Sequence, residues 1–308
     1  MAFKLPDELI FIENGKAEQK RSNSEMTGKI CIINGSTSGV GLASAKRMAA
    51  GGAHIVMICR SKDKGERVRQ EIKQSWDVPI EIIIADFSRL SDVRKAADIV
   101  LERYAKIDVL INSAGLHSTK RIYTNEGFEL VFCVNHLASF LFTMLLLERL
   151  KENTAARIIQ VNSEGHRFNG LDPDDLNWRR RLYTGLRGYG ASKTAQLLTV
   201  WKIADQLKGS NVTINALHPG DVKTNIGSNN GWLYKLFLHH VIWSSLKDPV
   251  ISGEAIYYLA SDTSISGVSG RFFNLTIEEK PAKHALDQKM GQRIWDLSLA
   301  MTGLDINK

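Results

Sequence analysis

The chain has 308 residues, 44% of them hydrophobic and 24% charged, a balance that excludes a disordered protein and supplies a large apolar core. Lys and Arg exceed Asp and Glu by seven charges, but the basic residues are spread along the chain, with one dense cluster at Arg179, Arg180 and Arg181; dispersed charge of this kind reads as solvated surface and points away from nucleic acid. Cys31, Cys59 and Cys133 lie in apolar runs with no CxxC spacing and no histidine partners, so buried thiols in a reducing compartment are expected, and no metal.

Residues 1–26 are polar and punctuated, and read as an N-terminal extension to a single domain over 27–308. No basic segment precedes a long apolar one, and no uncharged apolar stretch reaches bilayer length. A cytoplasmic protein without a transmembrane segment is expected, with peripheral membrane contact left open.

From Lys29 onward, short β-branched runs alternate with longer amphipathic ones. KICIIN (29–34), HIVMIC (54–59), PIEIIIAD (79–86), IDVLINS (107–113), ARIIQVNS (156–163) and NVTINAL (211–217) read as strands buried on both faces. The runs at 41–50, 64–75, 91–104, 128–150 and 192–207 are each long enough for a crossover helix. Repeated β-α-β predicts an α/β fold, a Rossmann-type doubly wound parallel sheet. An aromatic-rich stretch from Ile226 to Lys247 breaks the alternation.

The first strand runs into NGSTSGVG, which places Gly35, Ser36, Thr37, Ser38, Gly39, Val40 and Gly41 between a strand and a helix. Glycines in that context allow a tight turn and close approach of backbone to a dinucleotide, whose phosphates meet free N–H groups at the helix start. A plain turn with a helix cap is the competing reading of the glycines alone. The second strand ends at Cys59 followed by Arg60, where an acidic residue would hold the ribose of NAD; an arginine fork there favours the 2′-phosphate of NADP(H). Asp86, with Phe87 beside it, ends the third strand, and Asn112, Ser113, Ala114 and Gly115 form a turn after the fourth. Both fit the adenine and nicotinamide sides of one pocket at the carboxyl ends of the strands. In GYGASK, a spacing of four puts Tyr189 and Lys193 on one helical face.

Taken in order, NGSTSGVG, NSAG, the Asn in FCVNHLASF, the Ser in IIQVNSEG, YGASK and HPGDVKT make the chain resemble the short-chain dehydrogenase/reductase family over roughly Gly28 to Phe273. VNHLASF, HPG, Arg60, DPDDLNW and RIWDLSLAMTGL are most similar to its retinol-dehydrogenase-like branch, which also resembles the light-dependent protochlorophyllide reductases. The resemblance implies an NADP(H)-dependent carbonyl reductase or alcohol dehydrogenase acting on a small lipophilic carbonyl or alcohol such as a retinoid, steroid, quinone or pigment. It also implies pairing of subunits through the faces of the helices at 128–150 and 192–207, hence a homo-oligomer. A non-catalytic NADP(H)-binding sensor or scaffold is the alternative; such proteins usually lose the tyrosine or the lysine, and here both remain.

By that resemblance Asn135, Ser163, Tyr189 and Lys193 form the catalytic set. Tyr189 is acid in reduction and base in oxidation, Ser163 donates a hydrogen bond to the substrate oxygen, and Asn135 links Lys193 to solvent through water. Tyr189 and Lys193 also bind the cofactor, while Pro219 and Gly220 turn the chain so that the Val222 backbone and the Thr224 hydroxyl hold the carboxamide. A lysine charge at about 4 Å contributes roughly 4 kcal/mol at an effective dielectric near 20, enough to lower a tyrosine pKa from about 10 by two to three units. The stretch at 226–247, placed just after the carboxamide motif, is expected to be a helical lid over an apolar substrate. His117, His136 and His166 read as pocket wall or packing, and His218 as structural.

Overall fold

The computed structural model describes residues 10–222 and 246–305. Within them the β-branched runs form strands β1 Ile30–Asn34, β2 His54–Cys59, β3 Ile80–Ile84, β4 Val109–Asn112, β5 Ala156–Val161 and β6 Val212–His218. Two three-residue strands follow, β7 Phe272–Asn274 and β8 Ile277–Glu279. All eight make one sheet in the order β3-β2-β1-β4-β5-β6-β7-β8. Every pairing is parallel except the last: β7 and β8 close as an antiparallel hairpin, with Asn274 opposite Ile277. The expected parallel sheet therefore ends in a reversed edge strand, because two residues between β7 and β8 leave no room for a crossover.

Alternation along each strand supplies two cores. Ile32, Val56, Ile58, Leu110, Ile158 and Ile214 face one side, and Cys31, Ile33, Ile55, Met57, Val109 and Ile111 face the other. On the first side lie α4 Leu90–Arg103, α5 Leu130–Lys151, α6 Gly185–Gln206 and α8 Gln288–Thr302; on the second lie α2 Gly39–Ala50, α3 Lys62–Lys73 and α7 Val250–Ser261. Helix α5 is long and apolar enough to cross a membrane, but 83% of its apolar window is buried inside the protein. Near its start it widens into a π-helical turn at Cys133–Leu137, a local bulge often found at functional positions.

The N-terminal residues that are described lie on the body of the fold. A short helix, α1 Ile10–Asn14, precedes a segment that crosses the β7–β8 hairpin: Asn274 Nδ2 donates to Phe11 O at 2.9 Å and the Lys20 amide to Thr276 Oγ1 at 2.9 Å. Ser22 and Met26 are buried, and Arg47 Nη2 donates to Ser22 O.

Candidate active site

The sheet reverses its winding between β1 and β4, and open α/β sheets bind ligands at such a switch point, outside the carboxyl ends of the strands. A cleft of about 1060 Å³ opens there. Its walls include Gly35, Thr37, Ser38, Gly39, Val40, Gly41, Arg60, Asp86, Phe87, Ala114, Gly115, Ser163, Tyr189, Lys193, Pro219, Gly220 and Val222. A second groove of about 1230 Å³, between the end of α6 and the β7–β8 edge, contains none of these residues.

On the dinucleotide side, Gly35 has φ +71°, and a side chain there would press against Ala114 at 2.8 Å. A Cβ at Gly41 would sit 2.3 Å from Gly35 O. These two glycines are required because three backbone segments meet at the switch point. Asn34 binds them together: its Oδ1 accepts from the amides of Ser113 and Ala114, and its Nδ2 donates to Asn112 Oδ1. Asn112 Nδ2 in turn donates to Thr143 Oγ1, so the Asn112 side chain faces the interior and only its neighbours line the cleft.

Helix α2 begins just past Gly35, and its N-cap, Ser38, makes no side-chain capping bond. The first N–H groups of α2 thus have neither an intrahelical acceptor nor a side-chain cap, the condition a phosphate requires. Ser36 Oγ is buried nearby without a partner. Arg60 is exposed at the end of β2; Ser61, which caps α3, and Lys64 continue the same wall. Asp86 Oδ1 is fixed at the end of β3 by the amide and hydroxyl of Ser88 at 2.9 and 2.8 Å. The residues present fit a nicotinamide dinucleotide.

On the other side, the fold brings Ser163 and Tyr189 together across 26 positions of sequence. Ser163 caps the 3-10 turn Glu164–Phe168, and this turn is pressed so closely on α6 that a Cβ at Gly165 would lie 2.6 Å from Tyr189 Cε1. Burial pushes the Tyr189 phenol up to about 12, and hydrogen bonding to Ser163 opposes that rise. Burial also pulls Lys193 down to about 7. Its Nζ lies 5.6 Å from the centre of the Tyr189 ring and donates to Val161 O at 3.0 Å and Gln196 Oε1 at 3.1 Å. In the protein alone, desolvation therefore outweighs any lowering of the tyrosine by the lysine. His117 packs its ring edge-on against Tyr189 at 5.8 Å and is held neutral by burial.

Asn135 sits in the π-helical turn and is fully buried. Its side chain is committed to Leu116, whose amide donates to Oδ1 and whose carbonyl accepts from Nδ2, and to Ser192 Oγ. Its carbonyl accepts from Ser139 Oγ and, at 2.5 Å, from Gln196 Nε2. The position expected to bind water is thus filled by the carboxamide of Gln196, which also accepts from Asn162 Nδ2. Gln196 was missed in the sequence, although three residues beyond Lys193 it lies on the same helical face.

Val222 pairs with Lys247 in an isolated bridge, and Ser252 Oγ holds Pro219 O at 2.6 Å; Thr224 and residues 226–245 of the expected lid lie outside the described residues. The arginine cluster, expected to be solvated surface, is partly structural. The amides of Arg179, Arg180 and Arg181 all bond to the buried Asp175 carboxylate, and the Arg181 guanidinium covers the buried Trp178 ring at 4.0 Å. Among the described residues no group of His, Cys, Asp and Glu could hold a metal ion.

A doubly wound sheet with an uncapped glycine turn at its switch point, facing a serine, a tyrosine and a buried lysine, defines a nicotinamide-dependent oxidoreductase of the Rossmann type. The chain belongs to the short chain dehydrogenase family, whose model matches residues 29–231. It is 36% identical over 295 residues to retinol dehydrogenase 14 of Homo sapiens, covering 91% of this chain and 88% of that protein. To retinol dehydrogenase 13 of Homo sapiens it is 34% identical over 289 residues, covering 92% and 87%. A crystal structure of an uncharacterized protein from Mycobacterium Paratuberculosis, 28% identical, superimposes with a TM-score of 0.74 over 93% of this chain and 98% of that one.

Proposed function

We propose that this protein transfers a hydride between NADP(H) and the carbonyl or alcohol of a bulky lipophilic substrate, with Tyr189 as its acid and base. The observation that carries this reading is the approach of Ser163 and Tyr189 to either side of Gly165, beside the buried Lys193 and in the same cleft as the uncapped start of α2. Relatives named as retinol dehydrogenases support a lipophilic alcohol or carbonyl as the substrate class. Arg60 and Lys64, with no acidic residue between them and the end of β2 except Asp63 within α3, support the phosphorylated cofactor.

The N–H groups of Gly39, Val40 and Gly41 and the side chains of Arg60 and Lys64 would hold the phosphates, Asp86 the adenine, and the Val222 backbone the carboxamide. The bound nicotinamide supplies the hydride. Ser163 donates a hydrogen bond to the substrate oxygen and so polarises the carbonyl. Tyr189, kept as the neutral phenol by burial, gives its proton to that oxygen as negative charge develops there. Lys193 has two of its three N–H donors on Val161 O and Gln196 Oε1, which leaves the third for the cofactor's ribose. Asn135 acts as a positioning residue here, because Ser192 and Gln196 bind it to the helix that carries Tyr189 and Lys193.

The test is a panel of retinoid, steroid, quinone and pigment carbonyls, each with NADPH or NADH. Wild-type protein is expected to oxidise NADPH with at least one of them, and Tyr189→Phe to lower that rate by about 10²–10⁴-fold. Unchanged turnover in Tyr189→Phe would remove the acid-base assignment. Equal use of NADH would remove the cofactor assignment.

A further inference from the structure

The turn that follows Ser163 carries charges that the reduction leaves unused. Arg167 joins two carboxyl groups, Nε to Glu164 Oε2 at 2.5 Å and Nη2 to Glu279 Oε1 at 2.7 Å. The Glu279 side chain is fully buried, and those of Glu164 and Arg167 are only 13% and 18% exposed. One guanidinium thus serves two buried acids, and Glu164 Oε1 is buried with no donor facing it. Two carboxylates in contact cannot both ionise without a large penalty. A proton on Glu164 removes the second charge and turns the orphan oxygen into a donor toward Glu279.

The same group reaches the N-terminal segment. Glu279 Oε2 accepts from Asn14 Nδ2 at 2.9 Å and from Asn274 Nδ2 at 3.2 Å, and Asn274 also holds Phe11 O. The Phe11 ring lies 5.2 Å from the Arg167 guanidinium, and Lys247 Nζ donates to Gly15 O. Toward the cleft, Gly165 N donates to Ser163 Oγ at 3.0 Å, His166 Nδ1 donates to Ser163 O at 2.8 Å, and the Glu164 amide donates to His218 Nδ1 at 3.4 Å. Residues 11–15 and the substrate-facing serine are therefore held by one continuous set of bonds.

We propose that Glu164, Arg167 and Glu279 are positioning residues: they bind the N-terminal segment onto the turn that carries Ser163, and one proton held between the two carboxyls keeps that tie closed. This rests on the reading of Ser163 as the donor to the substrate oxygen. Burial, then the charge of Glu279, raises Glu164 to about 7 against the opposing pull of Arg167. The other groups packed around it are His166 on the same turn, His218 at the end of β6 with Asp221 behind it, and Lys193 on α6. Both histidines are held neutral by burial, His166 at about 3 and His218 at about 4. Lys193 also titrates near 7, but it is bonded to Val161 O and Gln196, away from the carboxyl pair. Because Glu164 has a higher pKa folded than unfolded, its contribution is complete below about 4.5 and is lost as pH rises through about 7.

Hydrogen exchange on the full chain tests this without turnover, at the amides of Gly15, Lys16 and Ala17, bonded within the segment, and of Lys20, bonded to Thr276. Corrected for intrinsic rates, wild-type protection at these amides is expected to fall by up to about tenfold per unit rise in pH between about 4.5 and 7 and to level off above that. Glu164→Gln, with the same shape and no ionisable proton, keeps its protection level from about pH 5 to 8; if that variant does not fold, Glu279→Gln, which removes the neighbouring charge that raises Glu164, is expected to shift the fall to lower pH. Flat protection in the wild type, or a fall that persists in Glu164→Gln, overturns the proposal. The positioning role is read from kcat, which is expected to follow the same fall in the wild type and not in Glu164→Gln, with the KM for NADPH unchanged. Exchange that follows Glu164 while kcat does not would overturn that role. Absence of any turnover counts against the catalytic reading, and the exchange data still decide the tie.

Discussion

Burial places Lys193 at odds with its own charge. Its pKa is drawn down to about 7 from 10.5, so between those values the unfolded chain binds more protons than the folded one, and stability rises with pH across that window. Tyr189, raised to about 12 by burial, acts in the opposite sense above pH 10. Lys193→Met is therefore expected to remove the rise between pH 7 and 10 and to increase Tm at pH 7 by a few degrees, roughly 1–2 kcal/mol. Differential scanning calorimetry of the protein without cofactor checks this, and a Tm that falls at pH 7 would mean that the bonds to Val161 and Gln196 outweigh desolvation. The Tyr189 and Lys193 pair was legible because a spacing of four survives any context. The partners of Lys193 were not: Gln196 and Asn162 carry no motif of their own, and their roles arise from the approach of α5 and of the end of β5 to α6.

At the scale of elements, the apolar excess on α5 and α6 reads in the sequence as a face for another subunit. Part of that face is covered by the chain's own α8. Trp295 meets Phe140 edge-on at 5.3 Å and is 4% exposed, His136 Nε2 bonds to Ser298 Oγ, and Trp201 Nε1 donates to Ala285 O in the short turn Lys283–Leu286 that leads into α8. His136, which sequence reading assigned to pocket wall or packing, is packed in this interface and held neutral, down to about 3. Trp295→Ala is expected to cost about 3–5 kcal/mol in urea denaturation, the range for a buried large aromatic. A loss below about 1 kcal/mol would make α8 a peripheral element and return the face to solvent or to a partner. The covering helix was hidden because periodicity reports how apolar a face is and not which element buries it.

Across the whole molecule, the six long strands and the place of the cleft follow from the sequence, since continuous Ile and Val runs separated by helical ones admit few arrangements other than a doubly wound sheet. The closing hairpin does not, because strands of three residues fall below any periodic signal. Neither does the path of residues 11–20 over β7 and β8, which depends on single polar contacts such as those of Asn14 and Lys20. The proposed reaction requires that a hydride pass directly from one side of this cleft to the other. The most direct measurement uses NADPH carrying deuterium at C4 of the nicotinamide, with the accepted carbonyl substrate and mass spectrometry of the product alcohol. One deuterium on the carbinol carbon in the wild type, and loss of product in Tyr189→Phe, is the expected result. Product without deuterium from either face of the labelled cofactor, or labelled product at an unchanged rate in Tyr189→Phe, would contradict it.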